Sequence, residues 1–392
     1  MVKDFCNIRR NIRSNIDPLE NVGNALPSWQ YAHIENSPDA RCPSWNAKMR
    51  TFLTSRTLWR IMTSSTLLLV CFDLFRSQSA FGRFILPEVD AQTNGTRHAH
   101  TSDGIDWSQY AYCQYVTTKD YLCNSVMMFE ALDRVGARAS RIMMYPEDWK
   151  LDGDDRIARL VRKARDQYSV QLSPVHIQHS GDGSTWSDSF TKLLAFNQTR
   201  FKRVLSLDSD ATILKSMDEL FLIPSAPVAM PRAYWLNDTF STQMVLVEPS
   251  KSELERILNA FAERKSNEYD MEIVNNLYGK ESMVIPHRKY DLITGEFRAK
   301  DHSMYLGSKE EVWDPQKVMD EASFVHFSDW PLPKPWLPHS KVEEKNLQPR
   351  CRITDQGKDC SDREIWLSLY SDFIERRKVC DMKNLSQTRK PG

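Results

Sequence analysis

The sequence predicts an α/β domain on a mixed, mainly parallel β-sheet, preceded by an apolar N-terminal segment. From Trp107 onward, short apolar runs of strand length alternate with stretches of helical period, as strands joined by crossover helices do. One of these runs ends on a pair of carboxylates, and open α/β sheets bind ligands at the carboxyl ends of their strands. Composition agrees: 41% hydrophobic and 27% charged residues, with 11 Trp and 17 Phe, exclude a disordered, collagen-like or coiled-coil chain. Lys+Arg and Asp+Glu both number 52, so the molecule carries no net field for a polyanion and nucleic acid is not an expected partner.

Residues 1–48 are polar, hold Pro18, Pro27, Pro38 and Pro43, and show no period, so residues 1–60 are expected to be a mostly disordered cytoplasmic tail. Arg41, Lys48, Arg50, Arg56 and Arg60 follow one another with no acid between them, and an apolar run begins at Ile61. Basic residues ahead of an apolar run hold the N-terminus in the cytoplasm, so residues 61–86 are expected to be a type II signal-anchor with the remainder luminal. Asp73 weakens that reading; a helix buried on the domain and a cleaved signal peptide are the alternatives. Met49, just ahead of Arg50, is the expected start of translation, and residues 87–106 are a polar stem.

The glycosylation sequons at Asn94, Asn197, Asn237 and Asn384 all follow the apolar run, as a luminal placement requires. Cys351 with Cys360 is the expected disulfide, and Cys113, inside the apolar YAYCQYV, is expected to be a buried small hydrophobe. His98 and His100 read as solvated stem residues, with metal binding as the alternative, and His176 to Gly183 as a turn, with a lid over a bound ligand as the alternative.

Strands are expected at Tyr110–Thr117, Arg141–Tyr145, Val170–Ile177, Arg203–Leu207, Val228–Met230 and Met244–Val247. Helical spacing puts Ile157, Leu160, Val161 and Ala164 on one face of Asp155–Gln167, and Leu254, Ile257, Leu258 and Phe261 on one face of Ser252–Glu263. Near the end, Asp362–Lys378 aligns Ile365, Leu369, Phe373 and Ile374.

The segment Arg203–Met217 (RVLSLDSDATILKSM) carries the chemistry. A buried strand runs into Asp208-Ser209-Asp210, and two carboxylates one residue apart can reach one hard divalent cation that also takes diphosphate oxygens. Such a site serves leaving-group stabilisation, because a sugar nucleotide breaks its anomeric bond only when the developing diphosphate charge is neutralised. The competing reading has Asp208 or Asp210 capping the next short helix. In Phe324–Trp336 (FVHFSDWPLPKPW), His326 follows a strand-like run and offers a nitrogen ligand, while Lys334, between Pro333 and Pro335, offers a point charge to a diphosphate. A Pro-rich surface loop is the alternative there. Trp313, Trp330 and Trp336 suit either a platform for sugar rings or a core.

Six segments in order, YVTTKDY, TKLLAFNQTRFKRVLSLDSDATIL, FSTQMVLVEPS, YDMEIVNNLYG, IPHRKYDLITGEF and VHFSDWPLPKPW, resemble glycosyltransferase family 8, whose familiar member is glycogenin. They are most similar to its fungal Golgi N-acetylglucosaminyltransferase branch. The resemblance runs from about Tyr110 to Trp336 and implies a GT-A type, Rossmann-like nucleotide-sugar-binding domain over 107–340; beyond it, the helical period of Asp362–Lys378 makes 341–392 the expected helical tail.

It implies that Asp208, Asp210 and His326 hold Mn²⁺, that Ser209 and Lys334 contact the donor nucleotide, and that Thr117, Thr118 and Tyr121 hold the uridine. Lys192 is similar to the lysine over the diphosphate and donor sugar, Asp270 to the acid that contacts the sugar, and Thr242 and Gln243 to residues lining the donor pocket. Lys192 and Asp270 are thus the implied catalytic pair.

Two departures stand out: Met271 replaces a glutamine after Asp270, and Asp329 and Trp330 lengthen the closing motif. The implied activity is retaining transfer, most nearly of N-acetylglucosamine, from a UDP-sugar to a mannose-containing glycan. The acceptor hydroxyl is expected to attack on the face the diphosphate leaves, because no protein nucleophile is evident. The protein is expected to be a single-pass Golgi membrane protein with a luminal catalytic domain. The alternatives are a glycogenin-like transferase of glucose or galactose, and a carbohydrate-binding protein without turnover.

Overall fold

Seven short strands join one sheet, and Arg203–Leu207, Val228–Pro231 and Met244–Val247 are buried along their whole length, as strands covered on both faces are. The computed structural model describes residues 104–177, 189–236, 238–265, 268–355 and 357–381. The strands are β1 (Tyr110–Tyr115), β2 (Ser140–Pro146), β3 (Val170–Val175), β4 (Arg203–Leu207), β6 (Val228–Pro231), β7 (Met244–Val247) and β8 (Met283–Ile285). Their order is β3-β2-β1-β4-β7-β6-β8, and β7 alone runs against its neighbours. The mixed, mainly parallel sheet is the one expected, with the ends of the six expected strands within two residues of the sequence reading and β8 added at the edge. A second sheet, of order β5-β10-β9, comprises β5 (Ala211–Ile213), β9 (Leu292–Ile293) and β10 (Phe324–His326).

Side chains alternate across β1, so Ala111 and Cys113 enter one core and Tyr112 the other. The Tyr112 face packs α1 (Lys119–Arg134) and α2 (Arg156–Tyr168); the opposite face packs α3 (Lys251–Glu263), α4 (Asp270–Tyr278) and the 3-10 segment Ser189–Asn197. Asp155 caps α2 by accepting the Ala158 N–H at 2.9 Å, and Ser250 caps α3 by accepting the Glu253 N–H at 3.1 Å.

From β1 the chain winds through α1, β2, α2 and β3 to one side, then returns to open the other side with β4. The reversal leaves a crevice at the carboxyl ends of β1 and β4, where such sheets bind ligands.

Several expectations are corrected. In α2, Ala158 joins the buried stripe while Ile157 stays at its rim. In α3 only Ile257 is fully buried, and Leu258 is 37% exposed. The last long helix, after α5 (Pro315–Glu321) and α6 (Lys341–Leu347), is α7 (Ser361–Arg376); it buries Trp366, Leu369, Tyr370 and Phe373 and turns Ile374 to solvent. Its side chains lie in the same core as α1 and β10, so residues 341–381 complete the domain rather than trail from it. Helix α1 is buried on most sides (Leu122, Val126, Met127, Met128, Phe129, Leu132), and a helix so covered lacks the one-sided stripe that would reveal it.

Cys351 pairs with Cys360 as expected, Cys113 is buried and unpaired, and Cys123 near the start of α1 pairs with Cys380 beyond α7. The tail, the signal-anchor and stem residues 87–103 lie outside the described residues, as do His98, His100, Gly181 and the sequons at Asn94, Asn237 and Asn384. Asn197 is exposed. Among the described residues, no helix is long and apolar enough to cross a membrane.

The Cys123–Cys380 bridge spans 257 residues of sequence and the Cys351–Cys360 bridge 9, so the first constrains the unfolded chain more. A Cys123→Ser, Cys380→Ser variant is expected to lose about 2–4 kcal/mol in urea unfolding, and the Cys351→Ser, Cys360→Ser variant less.

Candidate metal and nucleotide site

Asp208 and Asp210 follow β4 directly and are 9% and 8% exposed. After Asp210 comes β5, not a helix, so the helix-cap reading is set aside. Antiparallel pairing of β5 with β10 sets His326 opposite Ala211, and the Phe327 N–H donates to the Asp210 carbonyl at 2.9 Å. The His326 Nε2 therefore lies 2.9 Å from Asp210 Oδ1. Lys334 Nζ, coming back along the same loop, sits 2.8 Å from Asp210 Oδ2 and also donates to the Phe327 carbonyl.

Asp208 is neutralised from the other side. Lys192, in the segment Ser189–Asn197, lies 2.8 Å from Asp208 Oδ1 and 2.9 Å from Asp270 Oδ2. Asp270 opens α4 and accepts the Thr242 hydroxyl at 2.7 Å, and the Asp208 N–H donates to the Gln243 carbonyl at 2.9 Å. The Tyr115 hydroxyl, at the end of β1, reaches Asp208 Oδ1 at 3.1 Å.

Charge follows from this arrangement. Burial would raise the Asp210 pKa, but the His326 and Lys334 charges outweigh it and hold the carboxyl well below the usual range. Burial raises Asp208 above its ordinary value, with Lys192 opposing and Asp210 adding. Burial would lower Lys192, but Asp208 and Asp270 outweigh it and keep the ammonium charged.

One ligand atom from each of Asp208, Asp210 and His326 falls within 4.8 Å of the others. Two carboxylate oxygens with one imidazole nitrogen suit a divalent ion of the Mn²⁺ kind. The buried His326 Nδ1 and Gln243 Oε1 have no hydrogen-bond partner among the described residues. The side chains fit a divalent metal, and Lys334 and Lys192 beside it are the charges a diphosphate would require.

The site brings together Asp208, Asp210, His326, Lys334, Lys192, Asp270 and Thr242, with Gln243 joining through its backbone. Ser209 is buried between the two acids. Thr117 and Thr118 follow β1, Thr118 as the exposed residue before α1, and Tyr121 meets the Trp336 ring edge-on at 5.4 Å. Trp313 is a core residue stacked on His302 at 3.9 Å, and Trp336 packs on Phe373, so the three tryptophans form no single platform; Trp330 alone is 56% exposed.

Sequence reasoning missed Tyr115 and Asp291. Tyr115 ends a strand expected to run to Thr117, and the crevice it faces is set by topology. Asp291 is wholly buried ahead of β9, and among the described residues neither carboxyl oxygen meets hydrogen-bond geometry. Burial pushes its pKa well up, the nearby Ser241 hydroxyl opposes, and the Asp208 charge adds to the rise.

A buried acid with a raised pKa binds more protons folded than unfolded, so its contribution to stability falls as pH rises above about 4. Asp291→Asn is accordingly expected to gain stability relative to wild type between pH 4.5 and 7.5. Urea midpoints at the two pH values measure it, and an equal difference at both contradicts it.

No protein-family model matches the chain. Over 290 residues it is 51% identical to glucose N-acetyltransferase 1 of Gibberella zeae, covering 71% of this chain and 64% of that protein. Over 299 residues it is 48% identical to glucose N-acetyltransferase 1 of Aspergillus fumigatus, covering 70% of this chain and 78% of that one. The chain belongs to the glucose N-acetyltransferase 1 family. It thus spans less than two thirds of the Gibberella relative and more than three quarters of the Aspergillus one. A glycogenin of Neurospora crassa is 28% identical over 136 residues, 32% of this chain and 20% of that one, in keeping with the resemblance read from the motifs. Among solved structures, the glycosyltransferase GlyE of Streptococcus pneumoniae TIGR4 is similar at 15% identity and a TM-score of 0.47, covering 73% of this chain and 66% of that one, a level that adds no weight to the sequence relatives.

Proposed function

We propose that this protein is a Mn²⁺-dependent retaining glycosyltransferase that moves N-acetylglucosamine from UDP to a mannose-containing glycan. The observation that carries the reading is the buried cluster Asp208, Asp210 and His326, with Lys334 at 2.8 Å from Asp210 and Lys192 at 2.8 Å from Asp208. A divalent ion bound there supplies charge neutralisation to a departing diphosphate. Lys334 and Lys192, paired with the two carboxylates, are the cations that phosphate oxygens of a donor would meet there.

Asp270 is held by Lys192 and the Thr242 hydroxyl, which fixes it to orient the donor sugar. Retention then follows from attack by the acceptor hydroxyl on the face the diphosphate leaves, its proton passing to the leaving phosphate oxygen.

The relatives' name, read literally, describes acetyl transfer to glucose. A cluster of acids and lysines suited to a metal diphosphate favours sugar transfer, because acetyl transfer from a thioester releases no diphosphate. A Golgi placement, with residues 61–86 as the membrane anchor and the domain luminal, accords with the basic residues ahead of that run and the sequons beyond it.

The test incubates the full chain in detergent with Mn²⁺, a mannose-terminated glycan, and UDP-N-acetylglucosamine, UDP-glucose, UDP-galactose or acetyl-CoA. NMR then reads the product. The expected product carries N-acetylglucosamine with retained configuration, and Asp208→Asn lowers kcat/KM by about 10²-fold or more. Transfer from UDP-glucose or UDP-galactose alone favours a glycogenin-like activity. Acetylation contradicts the proposal, and donor binding without turnover makes the chain a carbohydrate-binding protein.

A further inference from the structure

We propose that Asp329 is a positioning residue through which α7 holds in place the loop that carries His326 and Lys334. The inference rests on the metal and diphosphate reading of that loop. Asp329 lies between the two residues in sequence, is 4% exposed, and makes no contact with Asp208 or Asp210 among those described.

Its carboxylate is satisfied from two separate elements. From α7, Trp366 Nε1 donates to Oδ1 at 3.0 Å and the Tyr370 hydroxyl donates to Oδ2 at 2.8 Å. From the 3-10 turn Thr294–Arg298, the Thr294 hydroxyl donates to Oδ2, and Arg298 Nη1 lies 3.4 Å from Oδ1 and donates to the Asp329 carbonyl at 2.9 Å.

A buried carboxylate is costly unless donors surround it, so these donors and Asp329 fix one another. The same turn is pressed against the loop backbone. The Ser328 N–H donates to the Thr294 hydroxyl at 3.0 Å, and a Cβ on Gly295 would lie 2.6 Å from the Ser328 carbonyl, so only glycine allows this approach. The Phe327 ring, next to His326, packs on Tyr370 at 5.2 Å and Phe373 at 4.9 Å.

The loop is therefore clamped at its middle while its two ends deliver His326 and Lys334 to Asp210. A shift of about 1 Å at the clamp takes a hydrogen-bonded cation out of range, and misplacement on that scale is what binding sites feel. The chemistry named is the recognition of a nucleoside diphosphate, made dependent on a helix that follows the glycogenin-like region in sequence.

The test measures UDP affinity by isothermal titration at saturating Mn²⁺, together with thermal stability, on the full chain. Tyr370→Phe removes one donor and keeps the ring; Asp329→Asn keeps the volume and removes the charge. Leu369→Ala, on the same helix but without a bond to Asp329, is the control for lost packing.

Tyr370→Phe and Asp329→Asn are expected to weaken UDP binding about ten-fold, as one lost hydrogen bond to a charged group would. Leu369→Ala is expected to lower thermal stability at least as much while UDP affinity stays within about two-fold of wild type. Unchanged affinity in Tyr370→Phe overturns the proposal even where Asp329→Asn fails to fold, and so does a loss of affinity that tracks stability in all three. A wild-type chain that binds no UDP with Mn²⁺ overturns instead the reading of the site on which the proposal rests.

Discussion

Two carboxylates buried one residue apart cannot both stay charged without cations beside them, and the architecture of this protein answers that constraint. Asp208 and Asp210 share the end of one strand, and each desolvated charge repels the other. Three cationic or titratable groups are brought in from distant sequence: Lys192 to Asp208, and His326 and Lys334 to Asp210. Lys192 is itself shared with Asp270, so Asp208, Lys192 and Asp270 form one linked set rather than separate ion pairs.

The fold supplies each member by ordinary means. Reversal of the winding between β1 and β4 opens the crevice, and the end of β1 places the Tyr115 hydroxyl in it. The antiparallel strand β7 brings Thr242 and Gln243 alongside β4 at the point where the acids begin. The small sheet, by pairing β10 with β5, fixes His326 next to Asp210 through the backbone. Beyond β10 the loop is held by Asp329 and by aromatic packing on α7. The C-terminal helix and the Cys123–Cys380 bridge thus tie the first helix of the domain to its last, with Trp336 packed between Tyr121 and Phe373.

What could be read in the sequence was local and repetitive. Short apolar strands, the acids at the end of Arg203–Leu207, the short-range pairing of Cys351 with Cys360 and the motif around His326 and Lys334 all lie within a few residues of their own signal. What was not legible depended on burial by remote parts. Helix α1 is covered on several faces and so shows no stripe. Asp291 is an ordinary surface residue by type until the fold closes over it. Cys123 and Cys380 sit 257 residues apart, and only the docking of α7 brings them together. Asp329 read as a family-specific insertion, whereas its four donors come from two segments that sequence proximity does not connect.

The proposed chemistry requires Asp208, Asp210 and His326 to form one divalent-metal site that works with a diphosphate. Electron paramagnetic resonance of Mn²⁺ titrated into the protein, with and without UDP, tests it most directly. One Mn²⁺ is expected to bind per chain, tightened by UDP, and to be lost in both Asp210→Asn and His326→Ala while each variant stays folded. Mn²⁺ bound equally well by wild type and by Asp210→Asn, or bound by neither, would contradict it.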